Sequence, residues 1–494
     1  MRSPALVLSA CLLTLPACAD GELPGVPLVP DDEVVLDVPT WRLEGEVAID
    51  GPRGALVLGD APGSHAGWSV GPAGDLNGDG FGDVVVGAYS DDRGGEYAGA
   101  TFVFYGPLEG DLSASSADAV LVGSDAYDYS GWTAGPAGDV NGDGIDDVYV
   151  SAYGDDTIGP GSGAVYVVFG PVAGTISLAD ADVTILGAAA YDNAGIAAAS
   201  AGDLNADGID DLVVGSYGVD AGGPDAGAAF VFMGPLEGQL NTNNAHVRID
   251  GVLPGQWVGY SVAGAGDTNG DGRDDLLVGA VGTPARGEDA GAAFLFLGPI
   301  TSDRTVVQAD AILHGSAAGD RLGGTVAGAG DLNADGYADI VVGTSFADIG
   351  EHEDAGAAYV VYGPWGDTRW AEDADAVFTG ADADDQAGFS VAGAGDIDGD
   401  GYDDVVVGVL HDDRGAVDAG AAAVFYGPAT GTRSVADADV SFLGLSSGDR
   451  AGGAVAGAGD VNGDGRADLL IGAHGHDARG DDAGAAWVVL GGGY

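Results

Sequence analysis

Lysine is absent from this 494-residue chain, whose positive charge rests on 15 arginines set against 78 aspartates and glutamates. The formal net charge of −63 excludes nucleic acid and anionic membrane surfaces as partners, because phosphate contacts need basic patches. Such a charge calls for cations bound at specific sites, for a salty medium, or for both. Cysteine is scarce: Cys11 and Cys18 are the two present, both near the N-terminus, so no disulfide framework can brace the body of the chain. No long segment carries helical periodicity with caps at its ends. What the chain has in excess is glycine, 92 residues alongside 46 % hydrophobic residues, well above the usual glycine share of ~7 %. That apolar content excludes low-hydrophobicity disorder. Glycines among short Val/Leu/Ala runs point to many tight turns between short strands, an all-β class.

Arg2, the apolar stretch Ala5 to Leu15 and then Pro16-Ala17-Cys18 have the charged start, short apolar core and small residues of a signal peptide over residues 1–17. The core is too short to span a bilayer. A cysteine in this place resembles the lipobox of bacterial lipoproteins, which implies that Cys18 is acylated and that the chain meets a membrane only through this N-terminal lipid. The expectation is an exported protein anchored in a bacterial envelope, at the outer membrane or cell surface, with plain secretion as the alternative. Residues 18–45 are acidic, aperiodic and Pro-rich (Pro24, Pro27, Pro30, Pro39), which suits a tether. Residues 46–494 are the folded body.

That body repeats itself. The segment Gly74-Asp75-Leu76-Asn77-Gly78-Asp79-Gly80-Phe81-Gly82-Asp83 recurs with first aspartates at Asp139, Asp203, Asp267, Asp331, Asp396 and Asp460, at spacings of 64 or 65 residues. Around each copy lie an apolar alternation before the acidic loop, a β-branched run after it, and two further strands. Four strands per unit and seven units predict a seven-bladed β-propeller of four-stranded blades. The last repeat ends after its third strand, and Ala55-Leu56-Val57-Leu58-Gly59 precedes the first loop. This N-terminal strand is expected to complete the last blade and close the ring, removing exposed sheet edges.

The loops carry the chemistry. Position 1 is Asp75, Asp139, Asp203, Asp267, Asp331, Asp396 and Asp460; position 3 is Asn77, Asn141, Asn205, Asn269, Asn333, Asp398 and Asn462. Position 5 is Asp79, Asp143, Asp207, Asp271, Asp335, Asp400 and Asp464; position 9 is Asp83, Asp147, Asp211, Asp275, Asp339, Asp404 and Asp468. Glycine at position 6 permits a sharp turn. Position 7 (Phe81, Ile145, Ile209, Arg273, Tyr337, Tyr402, Arg466) can lend its backbone carbonyl. Alternating oxygen side chains suit Ca²⁺, a hard cation that takes six to eight oxygens. An EF-hand needs Glu at position 12 and flanking helices, whereas Val86 stands there inside a β-branched run. About seven structural Ca²⁺ are therefore expected, offsetting 14 of the 63 negative charges.

The frame resembles the FG-GAP repeat of integrin α-subunit propellers and their bacterial relatives over about residues 54–494. Its opening Phe-Gly stands here as Gly67-Trp68 or Gly388-Phe389, and its closing Gly-Ala-Pro as Gly87-Ala88-Tyr89 or Gly472-Ala473-His474. The resemblance implies ions that brace the blade hairpins on one face and partners bound by the loops of the other. It thus implies a cell-surface propeller for protein or carbohydrate ligands, adhesion among its roles. A hydrolase or lyase on the same scaffold and a purely structural envelope protein are the alternatives. The seven histidines fall in no metal or triad spacing, and His474-Gly475-His476 reads as a loop. Arg479-Gly480-Asp481 reads as a turn, since Arg93-Gly94, Arg286-Gly287 and Arg414-Gly415 share its place. No catalytic residue is assigned. Among the loop aromatics, Trp68, Trp132 and Tyr260 share one register and read as core anchors. Tyr127, Tyr129 and Trp257 are the candidates for a ligand-binding surface.

Overall fold

In the computed structural model the folded unit spans Thr40–Tyr494, and residues 43–49 and 54–492 are described. Cys18, the signal segment and nearly all of the tether lie outside them. The β-branched run Asp83–Ala88 and the run Ala100–Phe104 are buried along their whole length. Burial on both faces explains why neither alternates with polar residues. Val84, Val86 and Phe102 pack among Leu470, Ala486 and Val488 of the last repeat, whereas Val85 and Val103 pack among Val148, Val150 and Tyr166 of the second. Each sheet is thus covered by two neighbours, the packing of propeller blades.

There are seven such sheets, with the same strand order in each. In the first, Ser69–Gly74 lies innermost, followed outward by Asp83–Ala88, Ala100–Phe104 and Ala119–Val122, all antiparallel. In the last repeat the fourth place is taken by Gly54–Leu58, which pairs antiparallel with Ala485–Val489, Gly54 opposite Val489.

The sheets have five strands, where the sequence predicted four. The fifth follows the third strand of one repeat and pairs in parallel with the fourth strand of the preceding sheet, as Gly174–Ser177 does with Ala119–Val122. The sixth sheet receives Gly45–Ala48 there, against Val440–Leu443. These strands escape a pattern search because they are short and polar, for example Gly-Asp-Leu-Ser and Gly-Thr-Ile-Ser, and are only half-buried or exposed. Helical structure among the described residues consists of six three-residue 3₁₀ turns. No helix of the described residues is long and apolar enough to cross a membrane.

Candidate functional site

Each acidic loop joins an inner strand to the second strand, and its side chains fold the loop around themselves. In the first copy Asp75 accepts the N–H of Asp79 and of Gly80, each at 2.9 Å, and Asn77 accepts that of Asp79 at 2.8 Å. Asp79 accepts the N–H of Phe81. Asp83, fully buried, accepts Leu76 N–H at 2.9 Å with one oxygen and Gly106 N–H at 2.9 Å with the other. The same pattern recurs at Asp404, which takes Ile397 and Gly427. Position 9 therefore ties the loop to the end of the third strand. Positions 1, 3 and 5 face the loop's interior.

Burial sets the electrostatics. It pushes the carboxyls of Asp83, Asp147, Asp211, Asp339 and Asp404 up to about 7 and that of Asp468 to about 6. Asp275 moves in the same direction. The two N–H donors oppose this rise, and in five of the loops the carboxylates at positions 5 and 1 add to it, as Asp79 and Asp75 do for Asp83; at Asp404 the pair is Asp398 and Asp396, and at Asp275 it is Asp267 alone. In the sixth loop Asp396, Asp398 and Asp404 each bring an oxygen within 4.8 Å of the others, the one such set of three among the described residues. Elsewhere Asn fills position 3, and Asn141 Nδ2 lies 3.3 Å from Asp147 Oδ1. The donors are all hard oxygens with lone pairs to spare, and carboxylates outnumber the bases around them, Arg273 beside Asp271 at 3.9 Å being one such base. The residues present fit a calcium ion.

Sequence reading missed the aspartate at position 8. Asp146, Asp210, Asp274 and Asp403 each accept the N–H of the first loop residue of the preceding repeat, Asp75 to Asp146 at 2.8 Å for example. The signal was an Asp-Asp doublet in four of the loops. Gly74 makes room for this contact: at φ +72°, a Cβ there would meet Asp146 Oδ2 at 2.2 Å.

The inner strand leads from Asp75 back to Trp68, about 20 Å away. At that opposite end the seven inner strands surround a cavity of about 560 Å³, a size suited to a small ligand. One register of the repeat supplies its wall: Trp68, Trp132, Ile196, Tyr260, Gly324, Phe389 and Gly453. Trp68 and Trp132 therefore line this cavity half-buried, and Tyr260 is 41 % exposed, so none of the three anchors the core. The reason is positional, because the inner strand looks onto the axis, where no further sheet covers it. His474, read as part of a loop, is buried in the same wall and meets Trp68 edge-on at 4.9 Å.

Of the proposed surface aromatics, Trp257 lines the cavity, whereas Tyr127 and Tyr129 do not and join it only through a chain of rings. Rings run outward from Trp132 to Tyr153 (4.7 Å), Tyr129 (5.5 Å), Tyr97 (6.2 Å) and Tyr127 (5.8 Å). Tyr97 and Tyr127 are exposed. Tyr127 and Tyr191 hold φ of +71° and +66°, in a register that is glycine at Gly63, Gly255, Gly319 and Gly448. A side chain there costs on the order of 1 kcal/mol, and such strain concentrates at functional faces.

Comparison with known proteins agrees with this geometry. The FG-GAP repeat model matches residues 66–104, 130–168, 194–232, 258–296, 323–361 and 451–489. The sixth repeat has the same three strands, from Ala387 to Phe425. Integrin alpha pat-2 of Caenorhabditis briggsae is 31 % identical over 242 residues, 46 % of this chain and 18 % of that protein. The human phosphatidylinositol-glycan-specific phospholipase D is 35 % identical over 235 residues, 44 % of this chain and 26 % of that protein. Human integrin alpha-IIb is 34 % identical over 177 residues, 34 % of this chain and 16 % of that protein. The chain spans less than a third of the length of these relatives. Seven acidic loops at one end of the inner strands, an aromatic mouth at the other and the repeat itself agree: the chain is an FG-GAP-repeat β-propeller, related to integrin α.

Proposed function

We propose that this propeller is exported, is braced by calcium, and binds a protein or glycan ligand at its aromatic face, adhesion being one such role. The observation that carries this reading is the cavity walled by Trp68, Trp132, Trp257, Tyr260 and Phe389 at the end of the inner strands away from the acidic loops. Aromatic anchors in a concave, desolvated site dominate recognition energetics. The side chains at positions 1, 3, 5 and 9 and the carbonyl at position 7 would hold each Ca²⁺. The ion supplies countercharge to carboxylates that otherwise repel. At ten times its dissociation constant an ion stabilises the fold by about 1.4 kcal/mol per site, and seven sites give about 10 kcal/mol, on the scale of a domain's net stability. That takes the place of the missing disulfides. Anchoring through an acylated Cys18 belongs to the same proposal.

The reading is of a binding module. The hydroxyls of Ser69, Ser261, Thr325 and Ser390 at the cavity wall each donate to a glycine carbonyl of the next repeat, so they serve as ties between repeats. A screen of glycans and surface proteins in millimolar calcium tests it. Binding lost in Trp132→Ala, and lost with chelator, supports the proposal. Binding that survives both changes, or a screen with no binder, overturns it.

A further inference from the structure

We infer that the axial cavity takes an anionic ligand, a carboxylate carried on an apolar or sugar ring, held by Arg321 and Arg450. This rests on the reading of the cavity as the ligand site. In a chain with 78 acidic residues, no aspartate or glutamate lines the cavity, while Arg321 and His474 do. Arg321, Arg450 and Arg466 are the arginines with no carboxylate in ion-pair range among the described residues; all others are paired, as Arg433 is with Asp439 at 2.9 Å. Arg466 donates to the Asp398 carbonyl. Arg321 and Arg450 thus form no ion pair among the described residues where acids are abundant, although, against the rise that burial causes, Arg321 draws the Asp354 carboxyl downward.

Both occupy one register, with His65, Tyr129, Asn193, Trp257 and Gln386 in the other repeats, and all seven hold φ between +54° and +58°. A backbone bond fixes each, Arg321 N–H to the Asp289 carbonyl at 3.0 Å and Arg450 N–H to that of Asp418 at 3.3 Å. The register three residues on is Trp, Trp, Ile, Tyr or Phe in five repeats. In the two arginine repeats it is glycine, giving Arg321-Leu322-Gly323-Gly324 and Arg450-Ala451-Gly452-Gly453. A Cβ at Gly324 would touch nothing closer than the Arg321 carbonyl at 3.6 Å, so the way from guanidinium to cavity is open. The Arg321 guanidinium lies 5.1 Å over the Phe346 ring, which also lines the cavity.

On the other arginine's side, His474 is 5 % exposed, and its Nδ1 and the Nε of Arg450 are buried with no hydrogen-bond partner among the described residues. At Gly453 a Cβ would meet His474 Nδ1 at 3.0 Å, so glycine lets the backbone close on the imidazole. Burial, then Arg450, His65 and His411, push His474 down to about 3, which keeps it neutral. The charge there is therefore arginine's. The overall negative field opposes an approaching anion, but it is screened beyond about 8 Å at physiological salt, whereas a direct charge-assisted contact inside the cavity is screened far less.

Three probes of one shape and different charge test this: benzoate, benzamide and benzylamine, titrated at physiological salt in millimolar calcium. Trp68, Trp132 and Trp257 line the cavity, so intrinsic fluorescence reads occupancy. Benzoate is expected to bind about tenfold or more tighter than benzamide. Arg321→Gln and Arg450→Gln should each weaken benzoate about tenfold while leaving benzamide within about twofold and the melting temperature unchanged. Glucuronate against glucose then distinguishes a sugar from an aromatic carrier. Benzamide or benzylamine binding as tightly as benzoate overturns the inference but leaves the cavity as the ligand site. No response to any probe overturns both.

Discussion

In the presence of a chelator, acidification from about pH 7.5 to 5.5 should stabilise this protein. The buried position-9 aspartates are pushed up to about 7 (Asp83, Asp147, Asp211, Asp339, Asp404) or about 6 (Asp468), and Asp275 moves the same way. In the unfolded chain they titrate near 3.9. Between those values the folded chain binds protons that the unfolded chain does not. The resulting stability is complete below the unfolded value and is lost as pH climbs through the folded one. Each group contributes a slope of about 1.4 kcal/mol per pH unit. A folded unit of ~450 residues has an unfolding entropy of about 0.9 kcal/mol/K, so each proton moves the melting temperature by about 1.5 °C per pH unit. Seven groups set an upper bound of about 10 °C per unit, which water penetration lowers. Calcium held in the loops, as proposed, would supply the countercharge and remove this slope. Asp128, Asp192, Asp320 and Asp385 lie outside the loops and shift in the same direction, so their share is common to both conditions. Calorimetry from about pH 5 to 8, in chelator and in millimolar calcium, should show the steeper slope in chelator by several degrees per unit. Parallel curves, or a melting temperature that rises with pH in chelator, would refute the reasoning.

Asp404→Asn leaves Ile397 N–H or Gly427 N–H facing an amide donor, and should cost about 1–3 kcal/mol in chemical denaturation and lower the calcium count by one. Gly74→Ala sets a Cβ against Asp146 at a positive φ and should cost about 1–3 kcal/mol, while Gly366→Ala, with nothing within 4 Å, should be neutral by the same measurement. Phe102→Ala removes a ring that is 1 % exposed between the first and last sheets, and should cost about 3–5 kcal/mol in a denaturant titration. Val57→Asp places a charge at a fully buried site in the strand paired with Ala485–Val489, and should abolish soluble expression or lower the melting temperature sharply.

The sequence by itself determined the sevenfold repeat, the strand-loop-strand frame and the oxygen donors of each acidic loop. These are local facts: a 64-residue period, β-branched runs such as Asp83–Ala88, and Asp at positions 1, 5 and 9 are written in consecutive residues. The fifth strands were not legible, because Gly110–Ser113 owes its conformation to a parallel partner in another repeat rather than to its own propensity. Nor was the meaning of Trp68 and Trp132, since the same apolar residue serves a core or a cavity according to what stands opposite. Only the tertiary structure gathered one residue from each repeat around the axis. It turned a register of Trp, Ile, Tyr, Phe and Gly into a wall, and set Arg321 and His474 in a place that the acidic residues leave free. Residues 64 apart in sequence become neighbours only when the blades close on one centre, and no local pattern carries that distance.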